Sequence, residues 1–300
     1  MDIRAILMGL AFAAMWSSAF TSARVIVEYA PPLTALALRF LTSGIIGVGL
    51  AYALGQRARL TRQQWLGVFI FGMCQNALYL GMNFVAMQTI EASLAAIIAS
   101  TMPLLVALVG WVFLGQKTRP LGMAGLVAGI AGVTLIMGAR ITGGVDLFGI
   151  LLCVLGVISL TVATLAVLGA SSGGNVLMIV GLQMLVGSAV LWGPALALES
   201  FTVTWTWQLV VAFLYTTLVP GLMATWVWFL LVGRIGAVKA STFHFLNPFF
   251  GVAVAAVLLG ETIGMLDIVG VVIIAGGILA VQLSKQPLGG GTKPDASVER

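Results

Sequence analysis

The sequence predicts an all-α integral membrane protein, with ten transmembrane helices forming two inverted five-helix repeats and both termini in the cytoplasm. Three observations predict it. The chain is 61% hydrophobic and 8% charged, whereas soluble domains run near roughly one half and one quarter. Apolar runs of about 20 residues, the length that crosses ~30 Å of hydrocarbon at ~1.5 Å per residue, recur ten times. Finally, a shift of 145 residues lays the stretch 91–116 of the first half on 236–261 of the second without a gap.

The apolar runs fall at 4–26, 33–54, 65–87, 92–114, 121–138, 147–168, 176–198, 207–231, 237–259 and 266–283, separated by short breaks of charge, Gly or Pro. The first lacks the basic start and small-residue cleavage site of a signal peptide and is expected to remain as a span. Abundant Gly (37 residues) suits closely packed helix backbones, and Trp (8 residues) suits the lipid interfaces. Cys74 and Cys153 fall within spans, where small apolar fillers are expected rather than a disulfide. The polar end "SKQPLGGGTKPDASVER" makes 286–300 an expected disordered cytoplasmic tail.

With the N-terminus inside, Arg4, Arg57, Arg59, Arg62, Lys117, Arg119, Arg234, Lys239, Lys285, Lys293 and Arg300 all fall on the cytoplasmic side. Arg24 and Arg140 fall outside, and Arg39 lies within the second span. That bias is the positive-inside rule, and an even number of spans agrees with it. The +5 net charge is therefore accounted for by topology, and no nucleic-acid partner is needed to explain it.

The repeat sets "EASLAAIIASTMPLLVALVGWVFLGQ" on "GAVKASTFHFLNPFFGVAVAAVLLGE". Pro103 meets Pro248, Leu114 and Gly115 meet Leu259 and Gly260, and Ala92 and Ala95 meet Ala237 and Ala240. Further on, Leu121, Gly125 and Gly132 meet Leu266, Gly270 and Gly277. Residues 1–140 and 141–285 thus read as two copies of five spans each. An odd number of spans inverts the second copy, the arrangement that places a transported molecule between two halves near the bilayer midplane. Pro103 and Pro248 are candidate helix-bending positions, with static packing kinks as the other reading.

Candidate lining residues come from helix faces. In "MWSSAFTSAR" of the first span, Trp16, Phe20 and Arg24 follow at i, i+4 and i+8, and Trp16 sits mid-span, away from the interfacial belts. Arg39 has three readings: snorkelling to the interface, bonding to backbone carbonyls, or holding a substrate carboxylate. In the third span Gly72, Asn76, Tyr79 and Asn83 share a face, with cavity lining and interhelical glue both open for Asn76 and Asn83. The eighth span carries Pro220 and Trp226, with Gly221, Thr225 and Trp228 on adjoining faces. In the ninth, Ala237, Ser241, His244, Asn247, Pro248 and Gly251 make a small polar stripe, while Phe243, Leu246, Phe250 and Val254 make an oily one. A histidine or asparagine facing lipid is expensive, so the polar stripe is expected to turn inward.

The "LRF" at 38–40, the Ala/Ser-rich start of the fourth span with Pro103 and "FLGQ" at 113–116, and its copy Pro248 with "LLGE" at 258–261 resemble the bacterial drug/metabolite transporter superfamily, in its ten-span EamA-like branch. The resemblance covers residues 1–285. Overall length and aromatic-rich spans are most similar to exporters of aromatic and other neutral amino acids of the YddG type. The first half departs from the pattern by ending its motif in Gln116 where the second has Glu261. The resemblance implies a multi-pass inner-membrane transporter with a small-molecule substrate, working by alternating access.

The expected site comprises Trp16, Arg39, Asn76, Tyr79, Asn83, Trp226, His244 and Asn247. Few fixed charges suit zwitterions with apolar side chains, or alternatively lipophilic cations, and do not suit phosphates, which want several inward Lys or Arg. A single His and no embedded carboxylate pair give no basis for metal hydrolysis, so neither metal nor cofactor is expected. No filter-like loop or ring of like charges suggests a channel. His244 is the one mid-span group suited to carrying a proton, and facilitated exchange is the competing reading. A ten-span monomer encloses its own site.

Overall fold

The computed structural model describes residues 3–113, 115–116, 119–166, 175–236 and 240–285. Leu114, Lys117, Ala237, Lys239 and the 286–300 tail lie outside the described residues. Ten helices long and apolar enough to cross a membrane follow one another: α1 (Ile3–Tyr29), α2 (Pro32–Ala53), α3 (Arg62–Ala86), α4 (Ala92–Val112), α5 (Pro120–Ile141), α6 (Leu147–Ala166), α7 (Val176–Leu198), α8 (Trp207–Ile235), α9 (Ser241–Leu259) and α10 (Met265–Ser284). An all-helical chain of this kind needs no partner for its backbone polar groups in hydrocarbon, because each is satisfied within its own helix. Side chains such as Ile45, Phe148, Val257 and Leu258 stand exposed on the outer surface, as a lipid-facing wall requires.

Four helices are interrupted. In α3 residues Gly72–Tyr79 widen to a π-helix, and in α8 Thr217–Met223 do the same; the two segments begin 145 residues apart. In α4 the helix Ala92–Ser100 stops at Thr101 and restarts at Met102. In α9 the first six residues, Ser241–Leu246, form a tighter 3-10 helix before the α-helix Asn247–Leu259. Pro103 and Pro248 each sit in the first two positions of the restarted segment, where the missing N–H costs no hydrogen bond. They therefore mark joints between two segments rather than kinks within one continuous helix.

Gly115 and Gly260 adopt left-handed backbone with φ of 62° and 68°, the conformation that ends a helix and that glycine adopts without strain. This is the physical content of the repeated Leu-Gly signal.

Packing follows a regular scheme. The seam of α5 with α10 and that of α2 with α7 are the most extensive; α1 packs on α8 and α9, and α6 packs on α3 and α4. Adding five to each helix number turns the α1–α9 contact into α6–α4 and the α1–α8 contact into α6–α3. Between α5 and α10 the backbones touch. A Cβ on Gly125 would lie 2.7 Å from the Gly277 carbonyl oxygen, and one on Gly277 would lie 2.6 Å from that of Gly125. Gly132 and Gly270 face each other in the same way, at 3.0 and 3.1 Å from each other's carbonyl oxygens. With no hydrophobic drive between helices in lipid, such close backbone approach is what holds the seam.

One end of the bundle is tied across by polar contacts. Pro32 opens α2, so its first free N–H groups are those of Leu33 and Thr34, and Glu199 at the end of α7 accepts from them at 2.7 and 2.8 Å. At the start of α4, Glu261 accepts from Ala92 and Ser93 at 2.7 and 2.9 Å. A carboxylate at a helix N-terminus satisfies orphan donors and meets the positive end of the helix dipole. Arg140 bridges Glu91 at 2.5 Å and Asp267 at 2.9 Å. Arg24 pairs with Glu28 at 3.6 Å and donates to the carbonyl of Met87, joining α1 to α3. Beside them, the Thr89 hydroxyl at 2.5 Å and the backbone N–H groups of Phe148 and Gly149 hold the Asp146 carboxyl below its ordinary range.

Candidate functional site: a cavity between the halves

The same irregular segments surround a cavity of about 440 Å³. A π-turn rotates the side chains after it relative to those before, and such bulges recur at functional sites. Here they bring Gln75, Asn76 and Tyr79 from α3, and Pro220 and Gly221 from α8, onto the cavity wall. The joint in α4 contributes Ser100, Met102 and Pro103. The 3-10 start of α9 puts three residues in each turn, so Ser241, His244 and Asn247 stack in one line, and His244 and Asn247 reach the cavity. The cavity extends to Gln64 in the first turn of α3 and Val176 at the start of α7. It therefore reaches the end of the bundle opposite the polar ties.

An aromatic box forms one wall. The rings of Phe12 and Trp228 lie 4.7 Å apart, Phe12 meets His244 edge-on at 5.4 Å, Trp228 lies 5.2 Å from His244, and Trp16 lies 5.8 Å from Phe12. The Asn247 amide nitrogen lies 3.0 Å from Nδ1 of His244, which orients the ring. Ser17 donates to the Asn247 carbonyl oxygen at 3.1 Å, tying α1 to the joint of α9.

Six of the eight expected lining residues meet on this cavity: Trp16, Arg39, Asn76, Tyr79, His244 and Asn247. Asn83 does not reach it. It borders a smaller space of about 50 Å³ on the tied side, and its amide is occupied, donating to the Tyr79 carbonyl at 2.8 Å and accepting from Cys153 at 3.5 Å. Asn76 does both of the things expected of it, since it lines the cavity and also donates to the Gln183 carbonyl of α7 at 2.9 Å. Trp226 is a correction. It is 56% exposed on the outer face of α8, and Trp228, two residues on, supplies the indole of the wall. Gly221, Thr225 and Trp228, at i, i+4 and i+7, share the cavity face of α8, and Trp226 lies off that face. Phe243, on the oily stripe of α9, is also buried, filling the space left by Gly9.

Arg39 does not snorkel. It is 5% exposed, borders both cavities, and its guanidinium carbon lies 5.1 Å from the centre of the Phe40 ring. Phe12, Gln183 and Phe71 were not singled out from the sequence. Phe12 stands one turn before Trp16 on the same face, a signal available in the spacing, whereas Gln183 comes from a helix with no polar stripe. Among the described residues no three His, Cys, Asp or Glu come together as a metal site would require.

Comparison with known proteins agrees with this architecture. The profile of the EamA-like transporter family matches residues 3–138 and again residues 147–283. The uncharacterized transporter YvbV of Bacillus subtilis is 25% identical over 268 residues, covering 89% of this chain and 88% of its own. The uncharacterized inner membrane transporter YedA of Escherichia coli is 27% identical over 279 residues, 90% of this chain and 88% of its own. The aromatic amino acid exporter YddG of Ancylobacter novellus is 31% identical over a shorter stretch of 113 residues, 38% of this chain and 39% of its own. Ten membrane-spanning helices around a central cavity, with a family profile that matches along both halves, make this chain a multi-pass membrane transporter of the EamA-like transporter family.

Proposed function

We propose that the protein exports small neutral organic metabolites, above all aromatic and other apolar amino acids, across a bacterial inner membrane by alternating access. The observation that carries the reading is the asymmetry of the bundle: a cavity that reaches one end and a set of polar ties across the other. By the distribution of Lys and Arg, the end reached by the cavity is cytoplasmic and both termini lie there. The chain thus rests open to the compartment from which an exporter loads.

Residues 1–140 and 141–285 act as two inverted repeats. Their support is the paired π-segments, the paired helix-ending glycines, and helix contacts that map onto one another when five is added to each helix number. Rocking about the α2–α7 and α5–α10 seams, with yielding at the joints of α4 and α9, exchanges the open end. Trp16, Tyr79, Trp228 and His244 hold an apolar side chain, as rings and amphipathic groups do in ligand sites. The substrate class draws further on the partial likeness to an aromatic amino acid exporter.

Purified protein in liposomes tests this with a panel of amino acids, nucleosides and quaternary cations, run with and without a pH gradient. Saturable counterflow of aromatic and branched amino acids is expected. Large ohmic single-channel currents, or saturable flux of nucleosides in place of amino acids, would sink it.

A further inference from the structure

Among the described residues the cavity wall carries one buried cation, Arg39, and no acid. The six acids among the described residues are Glu28, Glu91, Asp146, Glu199, Glu261 and Asp267, all near helix ends, and none borders the cavity. The Arg39 guanidinium has no hydrogen-bond or ion-pair partner among the described residues beyond its ring contact with Phe40, and its Nε is buried with no acceptor. One turn along α2 the Ser43 hydroxyl is likewise buried without a partner. Opposite both lies bare Gly221 of the α8 π-segment, where a Cβ would stand 3.6 Å from Arg39 Nη2 and from Ser43 Oγ. On another wall Asn247 Oδ1 is a buried acceptor without a donor. A guanidinium held at membrane depth with no counter-charge is costly, and the native way to offset it is a partner that the protein itself does not contain.

We propose that Arg39 anchors a carboxylate on the transported molecule, so that the cavity takes carboxylate-bearing molecules with an aromatic or branched apolar body and turns away lipophilic cations. The guanidinium fork suits a carboxylate bidentately, and the largely apolar wall strengthens the pair. A cation in the same place meets only like charge. Asn247, which borders the same cavity, carries an amide oxygen of the kind that accepts from the ammonium group of a zwitterion. One arginine is too little for a phosphate dianion, which keeps the class to monocarboxylates. The inference rests on the cavity being the transport site; the amino acid reading adds the ammonium, and the two separate in the test.

The test uses the full chain in proteoliposomes and labelled L-phenylalanine, phenylpropionate (no amine), phenethylamine (no carboxylate) and tetraphenylphosphonium, with thermal-shift binding of the same four to purified protein. Phenylalanine and phenylpropionate are expected to be carried and to compete with each other, and the two cations to do neither. Arg39→Gln should raise the apparent KM for both carboxylates by about ten- to a hundred-fold, the loss of a charge-assisted pair. Arg39→Lys should recover part of it, and maximal flux should change less than KM. If Arg39→Gln does not elute as a folded monodisperse species, the wild-type series decides alone. Flux of phenylpropionate without amino acid flux upholds the anchor and removes the amino acid reading. Phenylalanine flux unchanged in Arg39→Gln, or matched by phenethylamine, overturns the anchor and leaves the amino acid reading in place. Binding and flux confined to the cations overturns both, and absence of any carboxylate effect in either assay also counts against the anchor.

Discussion

Glu261 closes the N-terminus of α4 by accepting from the Ala92 amide at 2.7 Å and from the Ser93 amide at 2.9 Å. Its counterpart in the first half, Gln116, folds back instead, with its side-chain oxygen 2.6 Å from where a Cβ of Gly110 would stand. The change from Gln116 to Glu261 between the two copies of the motif thus coincides with the difference between the tied end and the end reached by the cavity. Glu261→Ala is expected to loosen the tie by about 1 kcal/mol, the scale of a helix cap. Ala23 is buried beside the small space on the tied side. In a background carrying Ala23→Cys, labelling by an impermeant thiol reagent from that side should rise by about fivefold; unchanged labelling would show that the contact does not gate access.

The α5–α10 seam is a close backbone contact, and Gly277 has no room for a side chain, with Gly125 O at 2.6 Å and Gly129 N at 2.8 Å from its missing Cβ. Gly277→Val is expected to force the helices apart at about 1–3 kcal/mol, the cost of overpacking. Thermal unfolding in detergent should shift downward, while Gly276→Ala beside it, with open space around its missing Cβ, should stay within about 0.5 kcal/mol of the parent.

Trp228 and Trp226 differ by two residues and by everything in their surroundings. Trp228→Ala removes a ring that lies tilted 4.7 Å from Phe12 and 5.2 Å from His244. An expected rise in KM for an aromatic substrate of about two- to tenfold corresponds to one aromatic contact. Trp226→Ala, on the outer face, should leave KM unchanged. Equal effects in counterflow assays would refute the placement of the two indoles.

His244 meets Phe12 edge-on and Asn247 by hydrogen bond. His244→Ala is expected to impair flux of the preferred substrate through KM, by about two- to tenfold for the lost ring contact. If rate, affinity and pH dependence all survive the substitution, His244 has no part in transport. A change confined to pH dependence would instead assign it to proton carriage.

Much of the fold was legible before the tertiary structure. Apolar run length located all ten helices, because crossing hydrocarbon demands a fixed number of residues. The self-similarity at 145 residues located the paired Leu-Gly endings whose glycines adopt left-handed backbone and the glycines of the α5–α10 seam. Six of eight expected lining residues reach one cavity, because a polar or aromatic group in the middle of an apolar span has few tolerable places to go. What the spacing could not express is irregular helix geometry. The π-segments of α3 and α8 and the 3-10 start of α9 change the number of residues per turn, and the contact of Phe12 on α1 with His244 on α9 pairs two distant helices, which spacing along one helix does not state.

By itself, then, the sequence determined ten spans, a duplicated plan and a bundle with few embedded charges, since these depend on hydrophobicity and local spacing along the chain. Only the tertiary structure decided that Asn83 is occupied by Tyr79 and Cys153, that Glu199 and Glu261 tie helix ends far away in sequence, and that Arg39 stands at the cavity with an unpartnered Nε. Whether a buried polar group is satisfied depends on which other helix packs against it, and that is a relation between distant segments that no single span contains.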